Sequence, residues 1–161
     1  MAIFDAVAEF SDNQSLISTN SVAATAASNT LCFSDTASEL SGLELGSGEP
    51  LWLNVRVGTT GVIDGTTDSA CKITVAVVNE ANTTIDSDSR VMVQTRAFSQ
   101  AEMTAGAWLL RIPLPADIDG QPYMGLLYTS AGAACTAGSI DAWVDHGAQS
   151  SFDTQVSASN I

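Results

Sequence analysis

The chain has 161 residues, with 18 acidic side chains against five basic ones and a formal net charge of −13. That length reads as one domain, and a compact chain of this size buries roughly 70% of the surface its unfolded form exposes, so a core forms without staples. Charge of this sign repels phosphate backbones and anionic lipid headgroups, both recognised through Lys and Arg, and weighs against direct nucleic-acid or membrane-surface binding.

The first forty residues are the least regular. "MAIFDAVAEF" has neither the basic start nor the apolar centre of a secretory signal, and no run reaches membrane-spanning length, so a soluble product of a cytoplasm is expected. Phe4, Val7 and Phe10 fall near helical spacing and predict one or two amphipathic turns. The small, polar stretch that follows to residue 30 reads as an arm or irregular strand lying over the domain, with a flexible tail as the alternative. Residues 1–20 are thus expected as an arm, 21–146 as a β-sandwich and 147–161 as a tail.

From residue 48 the strand signal is clear. "LWLNVRV" (51–57) sets Leu51, Leu53, Val55 and Val57 on one face and Trp52, Asn54 and Arg56 on the other, the period-2 alternation of a half-buried strand. "KITVAVV" (72–78), "RVMVQT" (90–95), "AWLLRIPL" (107–114), "YMGLLYTS" (123–130) and "SIDAWVDH" (139–146) follow, their starts about 16 to 21 residues apart. Gly, Asp, Asn and Thr crowd the connections. Strands at this spacing, with no helical pattern between them, predict an all-β antiparallel sandwich or barrel. In "SQAEMTAG", Ser99 and Glu102 stand at capping-box offset and Gly106 fits a stop, which predicts a single helical turn. The last two strands read as a hairpin over "SAGAACTAG", whose Gly132 and Gly138 permit tight turns. That loop suits contact with another surface, or a crowded turn inside the domain.

Catalytic chemistry finds little material. His146 is the single histidine, no nucleophile elbow is present, and His146 reads as a turn residue. Cys32, Cys71 and Cys135 lack metal or redox spacing and are expected as reduced thiols. "IDSDS" (85–89) and "ADIDG" (116–120) alternate carboxylates as calcium loops do, but without a full ligand series they read as solvated turns. No cofactor or metal is expected. Trp52 and Trp143 fall on the polar faces of their strands, beside Arg56 and beside Asp141 and Asp145. Such tryptophans anchor interfaces, lie under an arm, belong to an ordinary core, or form a sugar platform. Trp108, next to Leu109 and Leu110, reads as core.

Taken in order, "SDNQ" (11–14), "GEPLWLNVRVG" (48–58), "TAGAWLLRIPLP" (104–115), "PYMGLLYTSAG" (122–132) and "TAGSIDAWV" (136–144) resemble the cement, or capsid-stabilising, proteins of short-tailed bacteriophages, typified by the Bordetella phage cement protein. The resemblance implies a jelly-roll β-sandwich on the outside of a virion capsid, clamping subunits of an HK97-like major capsid protein, without catalytic residues. Its expected partners are the major capsid protein and further copies of itself, a dimer rather than a trimer. Ile3, Phe4, Val7 and Phe10 then become an arm that docks on a neighbouring subunit or the capsid floor, with cover of its own sandwich as the alternative. Trp52, Arg56 and Trp143 complete the expected interface residues. A carbohydrate- or ligand-binding sandwich is the competing function.

Overall fold

The computed structural model describes residues 9–18, 23–32, 51–64, 70–115 and 121–145. Its strands are β1 (Glu9–Ser15), β2 (Ala24–Ala26), β3 (Leu31–Cys32), β4 (Trp52–Val57), β5 (Ile63–Asp64) and β6 (Lys72–Glu80), then β7 (Arg90–Gln94), β8 (Phe98–Ser99), β9 (Trp108–Pro113), β10 (Tyr123–Ala131), β11 (Cys135–Ala137) and β12 (Ser139–Asp145). Four of them form one sheet in the order β1-β12-β4-β9, and a six-stranded sheet runs β2-β10-β6-β7, with β3 beside β10 and β8 beside β6. Every pairing is antiparallel. The architecture is an all-β sandwich.

Alternation decides the core. Leu53, Val55 and Val57 of β4 and Ile140, Ala142 and Val144 of β12 turn inward from the four-stranded sheet. Ile73, Val75 and Val77 of β6 meet them with Met124, Leu126 and Tyr128 of β10. Burying each large apolar side chain is worth about 1.5–3 kcal/mol. The longest strands, β6 and β10, are also covered on the outside. Ala76, Val78 and Leu127 form a second cluster there, packed against Ala26 and Ile85. Ile85 comes from the connection after β6 and presses on Gly125, where an added Cβ would collide with its side chain. That double cover explains why "VAVV" (75–78) is apolar without interruption.

Two expectations about connections are corrected. β10 and β12 are not a hairpin, because β10 lies between β2 and β6 while β12 lies between β1 and β4 in the other sheet. Alternation tells which face a residue takes, but not which strand sits beside it. The small-residue loop instead carries the chain across the sandwich, and on the way β11 pairs with β5. It is a crowded turn inside the domain: Gly132, at φ +89°, leaves no room for a Cβ against the Ala70 carbonyl, and Gly138 lies against Val62.

The cysteines are also corrected. Cys71 and Cys135 form a disulfide, both fully buried, 64 positions apart in the chain and with Cα atoms 6.0 Å apart. The crossing loop brings Cys135 against the segment leading into β6, a meeting that chain spacing does not announce. Cys32 lies outside that bond.

The first strand is irregular, as the polar stretch from residue 11 suggested. It takes the edge of the four-stranded sheet, with register shifts on either side of Ser11. Glu9 and Phe10, placed at the end of an amphipathic helical stretch by their spacing, are extended. The expected turn at 99–102 is present as one 3-10 turn, Gln100–Glu102. The Ser99 N–H and hydroxyl donate to the Glu102 carboxylate at 2.9 and 2.8 Å. It stops at Met103 rather than at Gly106, which adopts φ +77° farther on and donates its N–H to Val57. Among the described residues, no helix is long and apolar enough to cross a membrane.

Candidate interaction surfaces

Residues of β4, β9 and β12 that point away from the core gather the aromatic and cationic side chains. Cross-strand pairing aligns Glu9, Trp143, Asn54 and Arg111 in one row, and Asp141, Arg56 and Trp108 in the next. The rows interlock. Trp108 tilts against Trp143 with ring centroids 5.6 Å apart, and the Arg56 guanidinium lies 5.5 Å from the Trp143 ring centre. Arg111 stacks on Trp108 at 3.5 Å. Cations over indole faces are held by the ring quadrupole, so the two arginines and two tryptophans fix one another.

Asp141 ties this face to the first strand. One carboxylate oxygen accepts Arg56 Nε at 3.0 Å and the other the Asn13 N–H at 2.7 Å. Asn13 adopts φ 43°, a left-handed conformation that Asn tolerates, and its Oδ1 accepts the Thr59 N–H and hydroxyl. Gly58 beside it is required, since a Cβ there would meet Ser139 Oγ and Asn13 Oδ1 at 2.6 and 2.7 Å. Partial burial, then the charges of Asp12 and Asp141, raise the Glu9 carboxyl above its usual range.

The same strand closes the sandwich on its β1–β2 side. The Ser11 hydroxyl donates to Gln14 Oε1 at 2.7 Å, which leaves its oxygen to accept the buried Tyr128 hydroxyl at 2.8 Å. Gln14 also accepts the Ser28 N–H and donates to the Ala26 carbonyl at 2.6 Å. "SDNQ" therefore joins the two sheets through the side chains of Ser11 and Gln14. Desolvation pushes the Tyr128 phenol well above its usual range, with the Ser11 bond opposing.

Of the residues expected at an interface, Trp52, Arg56 and Trp143 lie on this one face. Arg56 keeps 45% of its side chain exposed and Trp52 is half-buried, but Trp143 retains only 4% exposure. Trp143 is therefore no open sugar platform. Trp108, read as core, belongs to this outer face instead. Its neighbours Leu109 and Leu110 take the core contacts, because a register shift between Val55 and Arg56 turns the strand there. Phe10 is fully buried in the main core and not available to a partner. Ile3, Phe4, Val7, His146 and the 116–120 segment lie outside the described residues. In the other acidic loop, Asp86 accepts the Asp88 N–H at 2.9 Å and its own N–H donates to Ser89 Oγ, the bonding of a self-contained turn.

Sequence reasoning missed a second surface. Val91 and Val93 of β7 are 50% and 37% exposed. Their signal was present: in "RVMVQ" the valines and the methionine between them are all apolar, so both faces of that strand need cover.

The family model Bbp16 matches residues 10–144. The chain belongs to the Bbp16 family, that of the Bordetella phage cement protein. Bbp16 proteins are phage structural proteins, which agrees with a site made of interlocked surface side chains. The Bbp16 match runs from Phe10 in the first strand to Val144 in the last, so it spans both sheets and the Trp–Arg face. No curated protein matches the chain.

Proposed function

We propose that this chain is a non-catalytic cement protein of a phage virion, bound to the capsid exterior, self-associating and clamping neighbouring HK97-like major capsid subunits. The observation that carries this reading is the Bbp16 match across nearly the whole sandwich. The Trp–Arg face supports it physically. Trp and Arg are the residue types that concentrate binding energy at interfaces, and here Arg56, Trp108 and Arg111 are held in place before any partner arrives. Preorganised side chains lose little entropy on docking. A clamp gripping two subunits makes its second contact at high effective concentration, so each contact stays individually weak while the head is held together.

The test is a comparison of DNA-filled heads with and without the protein. Heads lacking it release DNA on mild heating, and adding the purified protein back restores retention. Equal heat stability of the two particles overturns the clamp. Arg56→Ala with Arg111→Ala, in a folded protein, reduces binding to heads if the Trp–Arg face makes the contact.

A further inference from the structure

Charge on the four-stranded sheet is sorted by strand. With the order β1-β12-β4-β9, Glu9, Asp12, Asp141 and Asp145 all belong to β1 and β12, while β4 and β9 contain Arg56 and Arg111 and no acid. Two of the chain's five basic residues thus stand on one half of this sheet. They are not equivalent. Arg56 reaches back across the boundary to Asp141 at 3.0 Å and is neutralised there. Arg111 pairs with no carboxylate among the described residues. Its cross-strand neighbour is Asn54, and β9 ends the sheet, so no further strand lies beyond it among the described residues. Trp108 covers the flat of the guanidinium at 3.5 Å, and Nε is shut off from water without a hydrogen-bond acceptor.

The geometry points to Arg111 as the residue that receives a carboxylate from the capsid partner, so that the partner surface opposite the β9 edge is acidic; this rests on the cement reading above and names the chemistry of its contact. Desolvation decides the matter. A cation taken out of water has to be paired, and left unpaired it costs more than the surrounding contact returns. Arg111 is half-buried before docking. When the Trp–Arg face docks, Arg111 loses the water it still has, and no described acid of its own chain stands ready to replace it. The acid then comes from the other side. Stacking occupies the flat of the guanidinium and leaves N–H groups along its edge, the arrangement that takes a carboxylate through two parallel bonds. Trp108 fixes the group in advance, so little freedom is lost on pairing. A phosphate would satisfy the same edge, but nucleic acid is held off by the net charge of −13.

The test uses the full chain and heads purified without it. Co-sedimentation gives the affinity of wild type, Arg111→Gln and Lys72→Gln, with circular dichroism and melting temperature verifying that each is folded. Lys72 is exposed on the other sheet, so its variant changes net charge equally without touching this face. A second set of heads has its surface carboxylates converted to amides with a carbodiimide and glycinamide, a treatment that spares phosphates, and electron microscopy verifies that these heads are intact. The expected result is a loss of about tenfold or more for Arg111→Gln, the scale of a charged hydrogen-bonded pair, with Lys72→Gln unchanged. Amidated heads bind wild type and Arg111→Gln alike, both weakly. Wild type on amidated heads decides the question even where Arg111→Gln does not fold. Full-strength binding by folded Arg111→Gln, full-strength binding of wild type to amidated heads, or an equal loss for Lys72→Gln overturns the pairing and leaves the cement reading standing, since untreated heads still bind wild type. Wild type that does not sediment with untreated heads overturns the cement reading and the pairing with it.

Discussion

Tyr128 is a fully buried polar side chain with a distant partner, its hydroxyl 2.8 Å from Ser11 Oγ across 117 residues. Removing the hydroxyl leaves Ser11 without that donor inside the core, at a cost of about 1–2 kcal/mol. Tyr128→Phe is expected to lower the denaturant midpoint accordingly at pH 7. The loss is pH-dependent. A phenol whose folded pKa is raised above its ordinary 10.0 contributes stability that is present in full below that value and is lost as pH rises through the higher folded one. The gap between wild type and Tyr128→Phe should therefore narrow above pH 10, and a gap that stays constant to pH 12 would show that Tyr128 is not held protonated by burial. Phe10 makes the parallel case for an apolar group. Phe10→Ala is expected to cost about 3–5 kcal/mol, read as a shift in urea midpoint; a loss below 1 kcal/mol would return Phe10 to a docking role.

At the scale of elements, the 99–102 turn shows how far a local pattern determines a structure. Glu102 takes bonds from the Arg96 guanidinium and from Ser99, and these hold its carboxyl at about 2 instead of 4.5. An acid with a lowered folded pKa contributes stability that is present above 4.5 and lost as pH falls toward 2. Glu102→Gln should therefore melt below wild type at neutral pH, with the two curves converging between pH 4.5 and 2; a difference that persists at pH 2 would assign the effect to something other than charge. The turn and six of the seven longer strands were legible because each carries its own signal, a capping offset or a period of two; β1, irregular and polar, carries neither. β2, β3, β5, β8 and β11 have two or three residues each and are too short to show a period. What pairs with what was not legible either. The β10–β12 misreading, the Cys71–Cys135 bond and the placing of Trp108 all depend on residues far apart in the chain. The Trp–Arg face was partly legible: Trp52, Arg56 and Trp143 stood out from the alternation, Arg111 joins them by regular pairing with Asn54, and Trp108 joins them only through the register shift in β9.

For the whole molecule, the disulfide is a large single contribution. A cross-link closing 64 residues constrains the unfolded chain by about 4 kcal/mol in the chain-entropy picture. Cys71→Ser/Cys135→Ser should lower stability by that order while leaving the strand signature in circular dichroism unchanged, and an unaltered midpoint would show that the bond contributes nothing. The order β1-β12-β4-β9 has a consequence of a different kind. Among the described residues the last strand to be synthesised sits between the first strand and the rest of its sheet, and Asn13 finds Asp141 across 128 residues. Contacts of such sequence separation form late and slowly. On the ribosome, then, the four-stranded sheet has a gap until residues 139–145 have emerged, and β1 waits that long for its partner strand. Stalled nascent chains ending before residue 139 should be cut readily by protease within β1 and β4, while chains with residue 145 outside the exit tunnel resist; protection of the shorter chains would refute this. A product cut short by even these few strand residues lacks the strand that joins β1 to β4, so its four-stranded sheet cannot close.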